Sequence, residues 1–539
     1  MSRAVNRWQR YWFAEGGRYS VALLRVAISV AVGLSLWRLW GLRPLTAATE
    51  VYRPVGVWMA LGRTPPPELL VDVLWALAWA GTGAMLIGLL SRVATAVSCL
   101  ASVSLAALSF SGSLNWSHQY NVVLLAQLAF LGARCGDTLS ADALIRWLRR
   151  RAPLDVTRGY QWSVRLVLLA VSMMFVGAAL HKIGNGQFTL RWALSDNLRH
   201  QLLVRYDTTG IPRPEIVDWL LAESWRYRTA ALGNLAAQLS PLLAIAMPGR
   251  PLVRAFAGAM FVLEILGLGV VMELWNLPWL ALAAVYIDWD RLFAFVRRRP
   301  MPEEPEVLPR RPARLFVIAF VLYDLATSLI PTIDQRLNTY PFTSYPMFAK
   351  IRAARPYDQH LPYAVPGDHY EAISDHPVDP VIQHWLDYQN RNLYTLQDPA
   401  KVRARLTAVL ARAQARYPDA QIRGLRHYVA LFIAPSYPGP ARLERHPIAI
   451  TGELGSDGTF RSMLGKLTPT GVELQPEGLD ANAAPLVMFV EDRPQAIPLE
   501  GKRAGNTVEA ELKADPLYVA AEVNGRRWLV AWRRTWRWE

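Results

Sequence analysis

The chain has only two cysteines, Cys99 and Cys135, in 539 residues. They offer no disulfide framework and no C-x-x-C spacing for zinc, so no structural metal is expected. Lysine is also scarce, and Lys182 is the only one before Lys350 in a chain that otherwise uses arginine. Charged residues make up just 19%. No P-loop, H-E-x-x-H, G-x-S-x-G or dinucleotide fingerprint occurs, which removes the familiar soluble-enzyme chemistries. No internal repeat is strong enough to define a repeat architecture. The N-terminus, MSRAVNRWQRYWFAEGGR, is too long and mixed for a cleaved signal peptide, and residues 1–20 read as a basic, aromatic interfacial segment.

What the chain has in quantity is apolar surface: 52% hydrophobic residues and 21 Trp, as in polytopic membrane proteins with aromatic belts. The net charge of +15 sits in short arginine clusters between apolar runs. That arrangement is the positive-inside pattern and argues against nucleic acid as a partner.

A helix needs about 20 mainly apolar residues to cross ~30 Å of hydrocarbon. Nine stretches qualify as expected spans: Val21–Leu39, Leu69–Leu90, Val93–Phe110, Gln119–Ala133, Val164–His181, Thr229–Met247, Val253–Met272, Leu274–Trp289 and Leu315–Pro331. The fourth and eighth are short. With a cytoplasmic N-terminus, nine crossings keep the Arg146–Arg151 loop, the Arg250 turn and the Arg291–Arg314 loop on the cytoplasmic side. The same count sends His118, the loop after Lys182 and everything beyond Pro331 to the opposite face. The bilayer expected is a bacterial inner membrane.

In the loop after Lys182, Thr189–Tyr206 places Leu190, Leu194, Leu198 and Leu202 on one helical face, the pattern of an interfacial helix or a lid. The proline-rich, charged stretch Pro300–Pro312 reads as a linker. The membrane region is expected over 21–338, followed by an extracytoplasmic domain over 339–539. That domain opens on the aromatic run Thr339–Phe348, expected against the rim of the bundle. It continues with helices at Pro377–Asn390 and Pro399–Tyr417, the second carrying a basic face. Strands are expected at His427–Ala434, Ile448–Glu453 and Leu486–Glu491, with a hairpin of Tyr518–Val523 and Trp528–Trp532 on Asn524-Gly525. The predicted fold class is therefore an all-α polytopic membrane bundle of about nine transmembrane helices with a C-terminal soluble α+β, β-rich domain.

The site candidates are ionisable groups at the edges of these spans, where they are costly to keep. Lys182 ends the fifth span. Desolvation disfavours the charged form of an amine, and a neutral amine takes protons, which arginine does not. The plain alternative is a lysine snorkelling to the headgroups. His118 opens the fourth span, in the turn Asn115–Tyr120 (NWSHQY), and His181 adjoins Lys182. Gln127, Gln238, Glu264 and Asp324 lie within spans and need partners, for which Arg25 and Arg165 are available.

The segment SLNWSHQYNVVLLAQLAFLGARCGDTLSAD (113–142) resembles that of vitamin K-dependent γ-glutamyl carboxylase and its bacterial HTTM-domain relatives, where an N-H-S-Y-type motif opens a span. FVGAALHKIGNGQF (175–188) is similar to the family's catalytic-lysine helix end, and TYPFTSYPMF (339–348) to the aromatic segment after its last span. Ser117 stands where the family has Asn, and His181 replaces the first lysine of its pair. The resemblance covers about the first 350 residues in order. It implies that Lys182 deprotonates a reduced quinone of the vitamin K or menaquinol type, that oxygen adds, and that the strong base formed takes a γ-proton before CO2 is captured. His118 would assist, with Asn115, Ser117, His181 and Glu264 as supporting polar groups. The substrate implied is a protein or peptide on the extracytoplasmic side, and the enzyme would be a γ-carboxylase-like lyase or oxygenase. The alternative class is a non-catalytic membrane protein that binds a lipid or quinone, or scaffolds a partner through its C-terminal domain.

Overall fold

The computed structural model describes residues 8–9, 11–13, 17–40, 52, 54–62, 64–111, 118–149, 159–209, 212–297, 311–330, 340, 363–379, 382–383, 385–386, 393, 396, 398–435, 437–442, 444–468, 471–480, 484–490, 493–510 and 516–532. Among these residues, seven helices are long and apolar enough to cross a bilayer. They are α1 (Arg18–Trp40), α2 (Glu68–Ile87), α3 (Ser91–Ser111), α6 (Gln161–Asn185), α10 (Ser224–Leu239) continued by α11 (Pro241–Ala246), α12 (Pro251–Met272) and α15 (Arg311–Leu329). Residues 185–224 and 289–297 add the short helices α7 (Arg191–Leu194), α8 (Asn197–Thr209), α9 (Glu215–Leu221) and α14 (Trp289–Arg297).

Two expected spans are not membrane-length helices. Gln119–Ala133 becomes a 3-10 turn, His118–Tyr120, and the nine-residue α4 (Asn121–Ala129), which is stopped before Gly132, a residue at φ 77°. Leu274–Trp289 becomes α13 (Leu277–Leu282), with Pro278 in its first turn, followed by a 3-10 turn, Ala283–Tyr286. Proline suits a helix start and glycine a left-handed stop, so each segment is cut short by its own punctuation. Helix α4 is buried almost throughout and the second segment buries Trp279, Leu282, Val285 and Tyr286 against the bundle, where irregular backbone is tolerated. A further short helix, α5 (Ala141–Leu148), follows α4.

The bundle is organised around α6, which is apolar on every side and buried on nearly every side, as such a helix must be. Phe175 on α6 meets Phe261 of α12 and Trp279 of α13 at ring separations of 4.9 and 5.9 Å. The small residue Gly81 lets α2 approach the backbone of α3 at Ser98, where Thr82 Oγ1 and Ser98 Oγ lie 2.8 Å apart. Close backbone contact through small residues is how helices associate in lipid. The N-terminal segment is drawn into this core as well, since Trp12 and Phe13 are buried and the Tyr11 hydroxyl donates to the Ile245 carbonyl.

The single amphipathic helix expected over Thr189–Tyr206 is broken at Ser195 and Asp196 into α7 and α8. Both residue types favour helix starts over helix interiors. The leucine stripe is broken with it: Leu190 and Leu194 are exposed whereas Leu202 is buried.

The described strands of the C-terminal domain are β1 (Tyr363–Ile373), β2 (Gly424–Ala434), β3 (Glu444–Leu454), β4 (Phe460–Arg461), β5 (Gly465–Thr468), β6 (Gly471–Leu474), β7 (Leu486–Val490), β8 (Arg493–Pro498), β9 (Lys502–Ala504), β10 (Thr507–Glu509), β11 (Pro516–Val523) and β12 (Arg526–Trp532). They form a large sheet ordered β1-β2-β3-β12-β11-β7-β8, with β4 on β3, and a small sheet ordered β5-β6-β10-β9. Side chains alternate between faces as the pleat requires. Ala520 and Leu529 face α16 (Pro399–Arg416), whereas Val519, Ala521, Trp528 and Val530 face the small sheet. Helix α16 lays Val402, Leu406, Val409 and Ala413 on the sheet. It also buries Arg405, one of the residues of the expected basic face, Lys401, Arg403, Arg405, Arg412 and Arg416. The hairpin turns on Asn524 and Gly525 at φ 51° and 69°, the left-handed pair that a two-residue turn needs. Of the expected helix over Pro377–Asn390, the described residues 382–383 and 385–386 are helical and half of the stretch lies outside the described residues, as does the run Thr339–Phe348 apart from one residue. Tyr340 is described, and its hydroxyl donates to the Val103 carbonyl of α3.

Candidate functional site

The last turn of α6 carries Lys182 into a closed polar ring. Its Nζ donates to Asn234 Oδ1 at 2.6 Å and to Gln238 Oε1 at 2.9 Å. Asn234 and Gln238 are four residues apart on α10, so they share one face of that helix. Their amide nitrogens donate to one atom, Glu264 Oε1 of α12, at 2.5 and 2.8 Å. Each amide thus turns its oxygen to the amine and its nitrogen to the carboxylate. Reversing either amide would cost both of its bonds. Lys182 and Glu264 are 2% and 6% exposed, and the indole of Trp192 on α7 covers the amine at 4.3 Å from the ring centre.

This arrangement has a chemical consequence. Carboxamides neither gain nor lose protons near neutral pH, so they keep the amine and the carboxylate electrostatically joined without a direct proton path between them. An sp3 nitrogen that bonds to Cε and two amides has one direction left for a reacting partner, and Trp192 stands over the amine. Access to Lys182 is therefore set by the segment that carries Trp192.

That segment is held from two sides. Asp196, in the break between α7 and α8, accepts from the Tyr227 hydroxyl of α10 at 2.6 Å, from Arg228 at 3.1 Å and from the Tyr437 backbone N–H at 2.9 Å. Burial pushes the Asp196 carboxyl up, but these hydrogen bonds outweigh it and leave the group below its ordinary range. Arg199 of α8 donates to the carbonyls of Leu221, Gly439 and Pro440 at 3.0, 2.6 and 2.9 Å. The loop between β2 and β3 is thus docked on the segment that roofs the lysine.

The other expected site residues are less gathered. His181 is buried on the same helix, but one residue along is a rotation of about 100°, which sets it on a different side from Lys182. Asn115 and Ser117 lie outside the described residues, and of His118 only the backbone is described. That backbone is at the Lys182 end of α6: the Gln119 carbonyl accepts from the Trp279 indole at 2.9 Å, and Trp279 meets Phe175 two turns before Lys182. Arg25 donates to the Cys135 and Leu139 carbonyls, and Arg165 lies 4.9 Å from the Tyr11 ring centre. Gln127 donates to Ser98. Asn234 and Trp192 are the residues sequence reasoning missed. The signal for Asn234 was available, since Asn-x-x-x-Gln puts two amides on one face of an apolar run.

The fold and this ring define a multi-pass helical membrane protein with a buried lysine centre and a C-terminal β-rich domain. Compared with protein-family models, curated proteins and solved structures, the chain matches none.

Proposed function

We propose that the chain is a carboxylase-like, HTTM-type membrane enzyme in which Lys182 takes a proton from a lipid-borne reduced quinone. The observation that carries this reading is the ring itself: the only lysine of the membrane region, buried, held by two amides and offering one direction to a partner beneath an aromatic roof. The fit to a quinone lies in that pairing, because a flat ring can lie against the Trp192 indole with its hydroxyl toward the amine. Bound there, the quinone would supply the reducing equivalents whose consumption by oxygen generates a base strong enough for a weakly acidic carbon. Asn234 and Gln238 orient the amine, Glu264 balances charge, and Trp192 excludes water. His118 assists from the same end. An acidic protein or peptide on the extracytoplasmic side is the substrate class.

The reading includes nine crossings, with the N-terminus cytoplasmic and the C-terminal domain outside. It is supported by the path of the two short segments. Asp142 binds the start of α3 at Ser91, whereas Tyr120 meets Phe110 near its end, so residues 120–142 run the length of that helix. Likewise, the Val285 carbonyl accepts from Arg254 at the start of α12, while Leu274 bonds back to Leu268 near its end.

The second reading is a non-catalytic lipid or quinone binder. The carboxylate behind the amides favours it, since such a ring serves a fixed cation as well as a base. Reduced menaquinone and oxygen supplied to purified wild type and to Lys182→Ala separate the two. Quinone epoxide formed by wild type and lost in the variant is expected. Equal product from both, or none from either with quinone binding retained, leaves the binder.

A further inference from the structure

The chain contains one ten-residue pattern twice, and both copies do the same structural job. Asp142-Ala-Leu-Ile-Arg-Trp-Leu-Arg-Arg-Arg151 and Asp290-Arg-Leu-Phe-Ala-Phe-Val-Arg-Arg-Arg299 share the form D-x-L-(I/F)-x-(W/F)-(L/V)-R-R-R. Each begins a short amphipathic helix, α5 or α14. Each aspartate caps a spanning helix elsewhere in the chain. Asp142 accepts from the Leu90 and Ser91 backbone N–H groups, both at 2.8 Å, at the start of α3. Asp290 accepts from those of Tyr19 and Ser20, at 2.9 and 3.1 Å, at the start of α1. A glycine clears the space in both cases, because a Cβ on Gly136 would fall 2.7 Å from Asp142 Oδ2 and one on Gly17 would fall 2.0 Å from Asp290 Oδ1.

With the aspartate turned inward, the apolar positions face out. Trp147 and Leu148 are 73% and 64% exposed, and their counterparts Phe295 and Val296 are 82% and 69% exposed. In a soluble protein these would be liabilities. Here the surface is continuous with the lipid-facing one, since the turn that Asp142 caps also exposes Ile87, Leu89 and Leu90. Arginines complete the pattern: each helix runs into an Arg triplet in the sequence, and Arg92 and Arg18 are exposed at the starts of the two capped helices. The nearby acids Asp137 and Asp288 are engaged by Arg134 and Arg291.

We infer that the two D-x-L-(I/F)-x-(W/F)-(L/V)-R-R-R elements are twin feet that lie in the headgroup layer of one leaflet and bind anionic phospholipid. The aromatic and aliphatic pair enters the acyl boundary while the exposed Arg18, Arg92 and Arg149 take lipid phosphates, and the charge of the arginines that follow each helix in the sequence adds to the attraction. Because each aspartate holds a helix start, lipid composition is transmitted to α1 and α3. None of this depends on the chemistry at Lys182.

The test uses the full chain in nanodiscs of phosphatidylcholine alone or with phosphatidylglycerol. Cys99 and Cys135 are buried, so a fluorophore placed by Leu148→Cys or Val296→Cys reports one foot at a time. Nitroxide-bearing lipid should quench both positions, and phosphatidylglycerol should raise the thermal unfolding temperature. Replacing Arg149, Arg150 and Arg151 with Gln should remove about half of that rise, and replacing Arg297, Arg298 and Arg299 as well should abolish it. Lysine at the same positions should restore it, which separates lost charge from misfolding. An unquenched fluorophore in every disc, a rise that survives neutralisation of both triplets, or one that inorganic phosphate reproduces would each overturn the inference.

Discussion

Lys182 and Glu264 are single residues on different helices, joined through the amides of Asn234 and Gln238. Removing one member of a buried pair leaves an uncompensated charge and commonly costs about 3–5 kcal/mol, whereas replacing both with apolar groups costs far less. Glu264→Leu and Lys182→Met should each lower the unfolding temperature sharply in detergent, and the double variant should lie well above the sum of the two losses. Additive losses would mean that the amides, not the opposite charges, hold the ring together. In the sequence, Lys182, Gln238 and Glu264 stand out individually as polar residues in apolar runs. Their mutual contact does not, because Asn234 and Gln238 lie 52 and 56 residues beyond the lysine and nothing local orients α10 against α6.

At the scale of the element, the difference between a span and a buried half-helix rests on punctuation and on close contact. A Cβ on Gly81 of α2 would lie 2.8 Å from the Ser98 backbone nitrogen, whereas one on Gly83, two residues along, meets nothing within 4 Å. Overpacking of this kind costs about 1–3 kcal/mol. Gly81→Val should therefore lower the unfolding temperature by several degrees, with Gly83→Val near wild type. Equal effects from both would trace the loss to helix propensity rather than to the α2–α3 contact. The long helices were legible because twenty apolar residues in a row have one good solution in lipid. Residues 119–133 and 274–289 are shorter, carry Gly132 and Pro278, and pack in large part on neighbouring helices. Strand β1 escaped notice for a related reason. Pro366-Gly367 reads as a turn, but β1 ends the strand order, and an edge strand is where proline is tolerated.

For the whole molecule, the joint between the β2–β3 loop and the lysine's roof is the feature no local pattern reveals, since it pairs Asp196 with Tyr437 across 241 residues. It should also be sensitive to acid. The folded protein holds the Asp196 carboxyl below its ordinary range, with burial opposing and the Tyr227, Tyr437 and Arg228 hydrogen bonds prevailing. A carboxyl lowered in this way contributes stability in full above its unfolded-state pKa, about 3.9. The contribution falls away as the pH drops from there through the folded value, because the unfolded chain binds the proton first. The docked loop should hence be indifferent to pH from neutral down to the mildly acidic range and loosen only in stronger acid. Amide exchange at Tyr437 measures this directly. In wild type, exchange should accelerate only below the ordinary carboxylate range, while in Asp196→Ala it should already be fast at neutral pH with no acid step of its own. A wild-type profile that begins to rise near pH 6 would point to histidine in control of the joint, with Asp196 only a bystander.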